Sequence, residues 1–296
     1  MILKYEVTDR DDGKAVRHIL KNRLEISGKL ITKLRNEGKI LKNNAFVRTI
    51  DIVRTGDIIT AEIDFEEESP NVIPQMIDID IIYEDESIIV LNKQPGIIIH
   101  PTCSQPYGTI ANALMHHYAG KGLSIKVRPV SRLDKDTSGL IVFAKNQYVQ
   151  NHLVRQMNDK TFKKQYLGIV HGNFENDRGT ICLPIARNPD SIIERIVSED
   201  GAPSITNYAV LAQFKNASLL QFELETGRTH QIRVHCRAIS HPLIGDTLYG
   251  KPEPGLINRQ ALHSHKVEFI HPETGNLLKL AARLPDDMLN LINMLK

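Results

Sequence analysis

Short apolar runs typical of β-strands recur along the chain and restrict its fold more than any other feature. Residues 81–101, IIYEDESIIVLNKQPGIIIHP, predict three strands separated by turns at 85–87 and 95–96. Further strands are predicted from GLIVFAK (139–145), KKQYLGIVHG (163–172) and GTICLPI (179–185), and a hairpin from TNYAVLAQF (206–214) and SLLQFELET (218–226). Because strands outnumber helices and short links join many of them, we predict an α+β fold with a mixed, largely antiparallel sheet.

Two amphipathic segments predict helices that pack on this sheet. QYVQNHLVRQMNDK (147–160) places Val149, Leu153, Val154 and Met157 on one helical face, which we expect to point inward. THQIRVHCRAIS (229–240) suits a helix with Thr229 as its N-cap.

The N-terminal part of the chain carries a concentrated positive charge. Between Gly13 and Arg54 there are eleven Lys and Arg residues and three acidic residues, a net charge of +8. The whole chain has a net charge of +2, so the remainder carries −6. A small basic unit beside a mildly acidic larger part favours a polyanionic partner, RNA or DNA.

The basic unit has the periodicity of two helices followed by short strands. GKAVRHILKNRL (13–24) and GKLITKLRNEG (28–38) place their apolar residues at helical spacing, with Ser27 as an N-cap and Gly38 as a terminator. KILKNNAFV (39–47) and GDIITAEI (56–63) predict strands, which makes the unit a small α/β module. The acidic, proline-containing segment DFEEESPNVIPQ (64–75) predicts a linker. We therefore predict domains at 1–70 and 71–296.

Several classes of protein are disfavoured by what the sequence lacks. It contains no GxGxxG after a strand, no GxxxxGK[ST], no GxSxG and no set of histidines at metal-ligand spacing, so we expect no cofactor and no metal. No apolar run reaches the roughly 18 residues that a membrane span requires, and no secretory signal begins the chain. Cys103, Cys182 and Cys236 form neither a CxxC pair nor a disulfide framework, which favours a reducing cytoplasm. No coiled-coil seam is evident, and we expect a monomer.

The segment RLDKDTSGL (132–140) raises the question of what Asp134 does. An aspartate beside Thr and Ser is commonly a turn residue that accepts backbone N–H groups. The surrounding blocks indicate more, because the chain resembles the pseudouridine synthases of the large-ribosomal-RNA type over residues 81–285. The resemblance rests on NKQPGIIIHP (92–101), RLDKDTSG (132–139), KKQYLGIVHG (163–172), ETGRTHQIRVH (225–235), HPLIGDTLYG (241–250) and RQALHSHKVEFIHPETG (259–275).

The resemblance implies an RNA pseudouridine synthase that converts uridine to its C5-linked isomer without a cofactor. Asp134 would stabilise or trap the ribose as the glycosidic bond breaks, or would remove the C2′ proton along a glycal route; both remain open. The family pattern implies Arg233 as the cation that keeps Asp134 ionised, gripping both carboxylate oxygens, with Arg228 as the reserve. Tyr166 would stack on the detached uracil or help to remove the C5 proton.

The same resemblance implies substrate contacts and an RNA partner. The substrate-binding residues would be Arg132, Leu133, Thr137, Arg228 and His230. Residues 13–63 resemble an S4 RNA-binding domain, for which we predict RNA contacts by Lys29, Lys33, Arg35 and Lys39. The family pattern favours ribosomal RNA over transfer RNA. Ser131 stands where the family most often has histidine, which affects local packing or substrate preference.

Two other functions remain compatible with the sequence. One is a non-catalytic RNA-binding protein that assists ribosome assembly, and the other is an RNA N-glycoside hydrolase that releases free uracil. The presence of Asp134, Tyr166 and Arg233 argues against the first.

Overall fold

A computed structural model describes residues 1–63, 67, 69 and 71–296. The N-terminal unit packs two helices on a four-stranded antiparallel sheet whose strand order is β1-β4-β2-β3. Its strands are β1 (Ile2–Glu6), β2 (Ile40–Lys42), β3 (Ala45–Phe46) and β4 (Ile58–Glu62), and its helices are α1 (Val16–Asn22) and α2 (Gly28–Asn36).

Local signals in the sequence explain the boundaries of these elements. The Ser27 side chain accepts the Leu30 backbone N–H at the start of α2, as predicted. Gly38 follows the helix with a φ of 69°, in the left-handed region that glycine tolerates. Asn43 and Asn44 join β2 to β3 with φ values of 52° and 67°, as a tight hairpin turn requires. Strand β1 was not predicted, because LKYE offers little apolar alternation.

The larger unit is built on a ten-stranded sheet. Its main order is β10-β13-β14-β9-β15-β8-β6-β5, with β16 paired to β15 and β7 to β8. The strands are β5 (Asp80–Glu84), β6 (Ile88–Lys93), β7 (Arg128–Pro129), β8 (Ser138–Ala144), β9 (Lys163–His171), β10 (Arg178–Cys182), β13 (Ile205–Gln213), β14 (Ala217–Leu224), β15 (Leu262–Ile270) and β16 (Leu277–Ala281); β11 (Ile185–Arg187) and β12 (Arg195–Val197) form a separate hairpin.

The sheet is mixed and largely antiparallel, which confirms the predicted fold class. Its one parallel pairing among the described residues joins β15 to β8, at His263–Ser138 and Ser264–Gly139. Gly139 has a φ of 103°, and a Cβ there would lie 2.3 Å from the Ser264 carbonyl oxygen. Glycine is therefore required for β8 to approach β15 directly after the RLDKD loop.

Four helices belong to the larger unit: α3 (Ile110–Gly120), α4 (Gln147–Asn158), α5 (Gln231–Ala238) and α6 (Asp286–Leu295). In α4, Val149 and Leu153 are buried as predicted, but the inward placement of Val154 was wrong, since 38% of it is exposed. The third strand predicted at 97–101 does not form. Its isoleucines instead serve as loop anchors, because Ile97 and Ile99 pack into a cluster with α3. Helix α3 itself was not predicted.

The two units are packed together through α4. Asn151 donates a hydrogen bond to Ser27, Arg155 forms an ion pair with Glu25, and His152 Nδ1 lies 3.5 Å from a Glu25 carboxylate oxygen. One buried apolar cluster runs from the N-terminal unit into the sheet face beneath α4. The predicted linker falls partly on residues 64–66, 68 and 70, which lie outside the described residues.

Glu67, within the predicted linker, also connects the two units. It forms ion pairs with Lys33 of α2 and Arg128 of β7. The division into domains at residue 70 remains a prediction, and these contacts join the two units.

Candidate active site

A cleft of about 370 Å³ opens beside the RLDKD loop, between β9 and the start of α5. It brings together all eight residues that the sequence assigns to catalysis or substrate binding: Asp134, Tyr166, Arg233, Arg132, Leu133, Thr137, Arg228 and His230. These residues come from three blocks that are far apart in the sequence. The fold therefore assembles one site from them.

Asp134 begins a tight turn but its carboxylate does not serve the turn. The Thr137 N–H donates to the Asp134 backbone carbonyl, not to the side chain. Oδ2 accepts a hydrogen bond of 3.1 Å from Arg233 Nη1, while Oδ1 lies 3.8 Å from His230 Nε2. The side chain is 24% exposed, at the cleft. One oxygen is thus anchored, and the other faces the space that a ligand would occupy.

Arg233 holds Asp134 with only one of its nitrogens, which corrects the predicted two-oxygen grip. Its Nε and Nη2 donate to the two oxygens of Asp246, at 2.7 and 2.8 Å. Asp246 is fully buried and also accepts the backbone N–H groups of Leu248 and Tyr249. The planar guanidinium can offer its two-nitrogen edge to one carboxylate only. Asp246 takes that edge and directs Nη1 toward Asp134.

Electrostatics favour the charged forms of Arg233 and Asp246. Burial opposes the charge on Arg233, but its hydrogen bonds to Asp246 and the nearby charge of Asp134 raise its pKa above the ordinary value. Burial likewise opposes the charge on Asp246, and the Arg233 contact lowers the pKa of that carboxyl. Two carboxyl groups therefore share one guanidinium.

His230 is held against Asp134 by Tyr249. The Tyr249 hydroxyl accepts the Arg195 backbone N–H at 2.8 Å and lies 2.8 Å from His230 Nδ1, to which it can donate its own proton. His230 Nε2 then carries the ring hydrogen and faces Asp134. Burial lowers the pKa of His230, which favours this neutral imidazole at neutral pH.

The start of α5 differs from the prediction. His230, with a φ of 59°, is the N-cap residue, and Thr229 does not cap the helix. Gln231 performs the local hydrogen bonding instead, since its Oε1 accepts from the Arg228 backbone N–H and the Thr226 hydroxyl. This turn points both His230 and Arg233 into the cleft.

Tyr166 lies on β9 and is 5% exposed, with its side chain at the floor of the cleft. Burial, and secondarily the charge of Asp134, raise the pKa of its phenol. The hydroxyl is consequently protonated at neutral pH. Its flat ring, packed with Phe222 and Ile232, offers a surface on which a base can stack.

Two buried basic side chains, those of Lys93 and Arg259, hold the backbone of the RLDKD loop in place. Lys93 Nζ donates to the carbonyls of Gln94, Ile97 and Lys135, the last at 2.7 Å. Arg259 Nη1 donates to the Asp136 carbonyl at 3.0 Å, while its remaining nitrogens hold Asp287. The loop that carries Asp134 is thus fixed by side chains from two other motif blocks.

The predicted substrate-binding residues divide into supporting and exposed ones. Leu133 packs between two buried clusters, and buried Thr137 accepts a hydrogen bond from Gln260. Arg132 and Arg228 are exposed; Arg132 donates to the Thr229 hydroxyl, and Arg228 to the Pro203 carbonyl. Only the two arginines present charge at the rim of the cleft.

The four lysines and arginines predicted to contact RNA lie away from the cleft, on α2 and just after it. Lys29 and Arg35 are exposed. Lys33 and Lys39 form ion pairs with Glu67 and Glu37. Lys33 therefore contributes to packing between the units, which the sequence did not indicate.

Sequence reasoning missed five residues that shape this site: Asp246, Tyr249, Lys93, Arg259 and Lys164. All five lie in the quoted motif blocks, so the blocks marked the right segments without indicating which side chains meet. Buried polar residues within such blocks are the signal that could have identified them.

No group of three or more potential metal ligands occurs among the described residues. Within the same part of the chain, no helix has both the length and the apolar character needed to cross a membrane.

Comparisons with known proteins agree with this geometry. Residues 87–238 match the sequence profile of the RNA pseudouridylate synthase family. An uncharacterized RNA pseudouridine synthase of Bacillus subtilis is 40% identical over 98% of this chain and 96% of its own length. Ribosomal large subunit pseudouridine synthase D of Xylella fastidiosa is 34% identical over 92% of this chain and 86% of its own.

Solved structures share the fold. Human RNA pseudouridylate synthase domain containing 1 superposes with a TM-score of 0.58 and 25% identity, over 71% of this chain and 84% of that one. Human RNA pseudouridylate synthase domain containing 4 has a TM-score of 0.59 at 20% identity, over 73% and 92% of the two chains.

Proposed function

The chain belongs to the RNA pseudouridylate synthase family, and on this premise we propose that Asp134 carries out its conversion of uridine to pseudouridine. The observation that supports this assignment most directly is the half-anchored carboxylate. Oδ2 is held by Arg233, and Oδ1 faces a cleft whose floor is Tyr166.

The reaction exchanges one bond of the ribose for another. The bond from uracil N1 to C1′ breaks, the base turns, and C5 bonds to C1′; C5 loses a proton and N1 gains one. Positive charge develops on the ribose as the first bond breaks, and an adjacent carboxylate stabilises it. Asp134 Oδ1 meets the ribose at C1′ in a covalent route, or at the C2′ hydrogen in a glycal route.

Arg233, Tyr166 and His230 have distinct parts in this proposal. Arg233 orients Asp134 through one hydrogen bond, while Asp246 orients Arg233. Tyr166 stacks on the detached uracil while it turns. Because its phenol is protonated at neutral pH, its hydroxyl serves first as a hydrogen-bond donor to a uracil carbonyl. His230 lies beside the oxygen that would meet the ribose, with Nε2 3.8 Å from Asp134 Oδ1.

We propose large-subunit ribosomal RNA as the substrate and an S4-like RNA-binding role for residues 1–70. The first rests on the similarity to the Xylella fastidiosa protein, a ribosomal large subunit pseudouridine synthase. The second rests on the net charge of +8 between Gly13 and Arg54, carried on two short helices packed on a small sheet. A uridine within a duplex must be flipped out to reach Asp134, at a cost of a few kcal/mol, and backbone contacts elsewhere offset that cost.

One assay tests the reaction class. Large-subunit ribosomal RNA transcribed with C5-tritiated uridine is incubated with the protein, and released tritium and free uracil are measured together. An isomerase releases tritium without free uracil. Free uracil in proportion to the reaction would indicate a hydrolase, and tight binding of the RNA without tritium release would indicate a non-catalytic binding protein.

A further inference from the structure

Lys164 is a cation in the cleft that the proposed chemistry leaves without a role. It lies on β9 two residues before Tyr166, so both side chains project from the same face of the strand. Its side chain lines the cleft that Asp134 and Arg233 also line. Burial lowers the pKa of its ammonium group to about 8.

Within the described part of the chain, Lys164 has no ion-pair or side-chain hydrogen-bond partner. Two other basic residues of this region do have partners: Lys160 is 2.7 Å from Glu225, and Arg233 is bound to two carboxylates. A partly desolvated charge without a counterion is costly. An anion supplied by a ligand would remove that cost.

We propose that Lys164 binds a phosphodiester group of the RNA strand next to the uridine that enters the cleft. This inference rests on the proposed function, because it takes RNA as the ligand. Uracil and ribose are neutral, so the phosphodiesters are the anions that such a ligand brings. Two residues along a strand span about 7 Å, which separates the ammonium group from the ring of Tyr166 while keeping both at one cleft.

The chemistry of lysine suits this role. An ammonium group is a compact charge on a flexible stem, which binds phosphate without demanding a fixed orientation. Lys164 thus adds a backbone contact inside the cleft, distinct from those at the exposed rim arginines.

Salt-dependent binding tests the proposal. Affinity for a large-subunit ribosomal RNA transcript is measured from low to high KCl, in the Asp134→Asn background so that no turnover occurs. Lys164→Met should reduce the slope of log affinity against log salt by about 0.7 to 0.9, the value for one lost phosphate contact. Lys164→Arg should retain the slope.

Lys163→Met is the matched control. Lys163 is the exposed neighbour on β9 and projects from the opposite face, so its replacement removes the same charge away from the cleft. The salt slope of RNA affinity for the Lys163→Met variant should equal that of the parent protein. Equal slopes for the Lys164→Met and parent proteins, or equal reductions for the two lysine variants, would overturn the proposal.

Turnover measurements separate this role from acid–base catalysis. With Asp134 intact, Lys164→Met should raise the KM for RNA and leave kcat within about twofold. A loss confined to kcat would overturn the phosphate assignment and indicate a proton-transfer role. Failure of the intact protein to release tritium would contradict the proposed function, whereas the binding slopes would still decide the role of Lys164.

Discussion

The arrangement of charge around Asp134 is the central feature at the scale of single residues. Arg233 divides its hydrogen bonds unequally, with two to Asp246 and one to Asp134. A guanidinium that gripped both Asp134 oxygens would occupy a lone pair on each, whereas the observed contact involves Oδ2 alone. The buried Asp246 therefore fixes the arginine and leaves one oxygen of Asp134 accessible.

Asp246→Asn tests this division of roles. The asparagine amide removes the negative charge and replaces one of the two carboxylate oxygens that accept hydrogen bonds from Arg233, so Arg233 loses its fixed orientation. We expect kcat for tritium release to fall about 100-fold, the effect of an approximately 1 Å misplacement, with little change in the KM for RNA. Thermal unfolding of the variant serves as the folding control. A kcat within about twofold of the parent would show that Asp246 does not position Arg233.

At the residue scale, the sequence predicted which residues gather in the site but not how they bond. Asp134, Tyr166 and Arg233 were identified because they lie in motif blocks that resemble a known family. Arg233 lies on α5, whereas its partner Asp246 lies 13 residues later in the chain, beyond the end of that helix. Motif spacing carries no information about such a contact, which depends on how α5 packs against the following loop.

At the scale of elements, the site depends on how the RLDKD loop joins β8. Lys93 and Arg259 fix the loop backbone before the strand begins. The strand then enters the sheet at Gly139, in direct parallel contact with Ser264 of β15. The position of Asp134 is therefore determined by the central strands of the sheet.

Gly139→Ala should disturb this junction strongly. A Cβ would meet the Ser264 carbonyl oxygen at 2.3 Å, and the φ of 103° disfavours any side chain. We expect the free energy of unfolding to decrease by at least about 3 kcal/mol, measured by chemical denaturation.

Gly122→Ala is the matched control for that substitution. Gly122 also has a positive φ, of 68°, but no atom lies within 4 Å of its added Cβ. Its cost should be about 1 to 2 kcal/mol, from backbone conformation alone. Equal costs for the two variants would show that close packing at Gly139 is unimportant.

The pattern of short apolar runs predicted most strands but not the elements outside them. The runs at 139–145 and 163–172 are the buried central strands β8 and β9. The run at 97–101 is also rich in β-branched apolar residues, yet Ile97 and Ile99 are buried in a loop under α3. A short apolar run indicates that a segment is buried. Whether the segment forms a strand depends on an adjacent strand that can pair with its backbone.

At the scale of the whole molecule, α4 connects the basic unit to the cleft. Its Asn151, His152 and Arg155 contact the N-terminal unit, and its Met157 lines the cleft. The chain outside Gly13–Arg54 carries a net charge of −6, which by itself repels RNA. We therefore expect the N-terminal unit to supply most of the electrostatic attraction.

The double variant Lys29→Ala/Arg35→Ala tests that expectation. Both residues are exposed on α2. Their loss should weaken RNA affinity, reduce its salt slope by about 1 to 2, and leave kcat at saturating RNA unchanged. Lys215→Ala/Lys296→Ala, which removes the same charge from exposed positions elsewhere, is the control. If the control weakened binding equally, the attraction would come from net charge and not from α2.

Replacing Asp134 with asparagine, which removes the charge of the side chain, tests the proposed role of Asp134 most directly. Single-turnover tritium release from C5-tritiated large-subunit ribosomal RNA is measured for the intact protein and for Asp134→Asn, at RNA concentrations above the measured Kd of each. The amide preserves size but removes the negative charge, so we predict a rate at least about 1000-fold lower, with RNA affinity within a few fold. An Asp134→Asn protein that retained a tenth or more of the parent rate would contradict the assignment of Asp134.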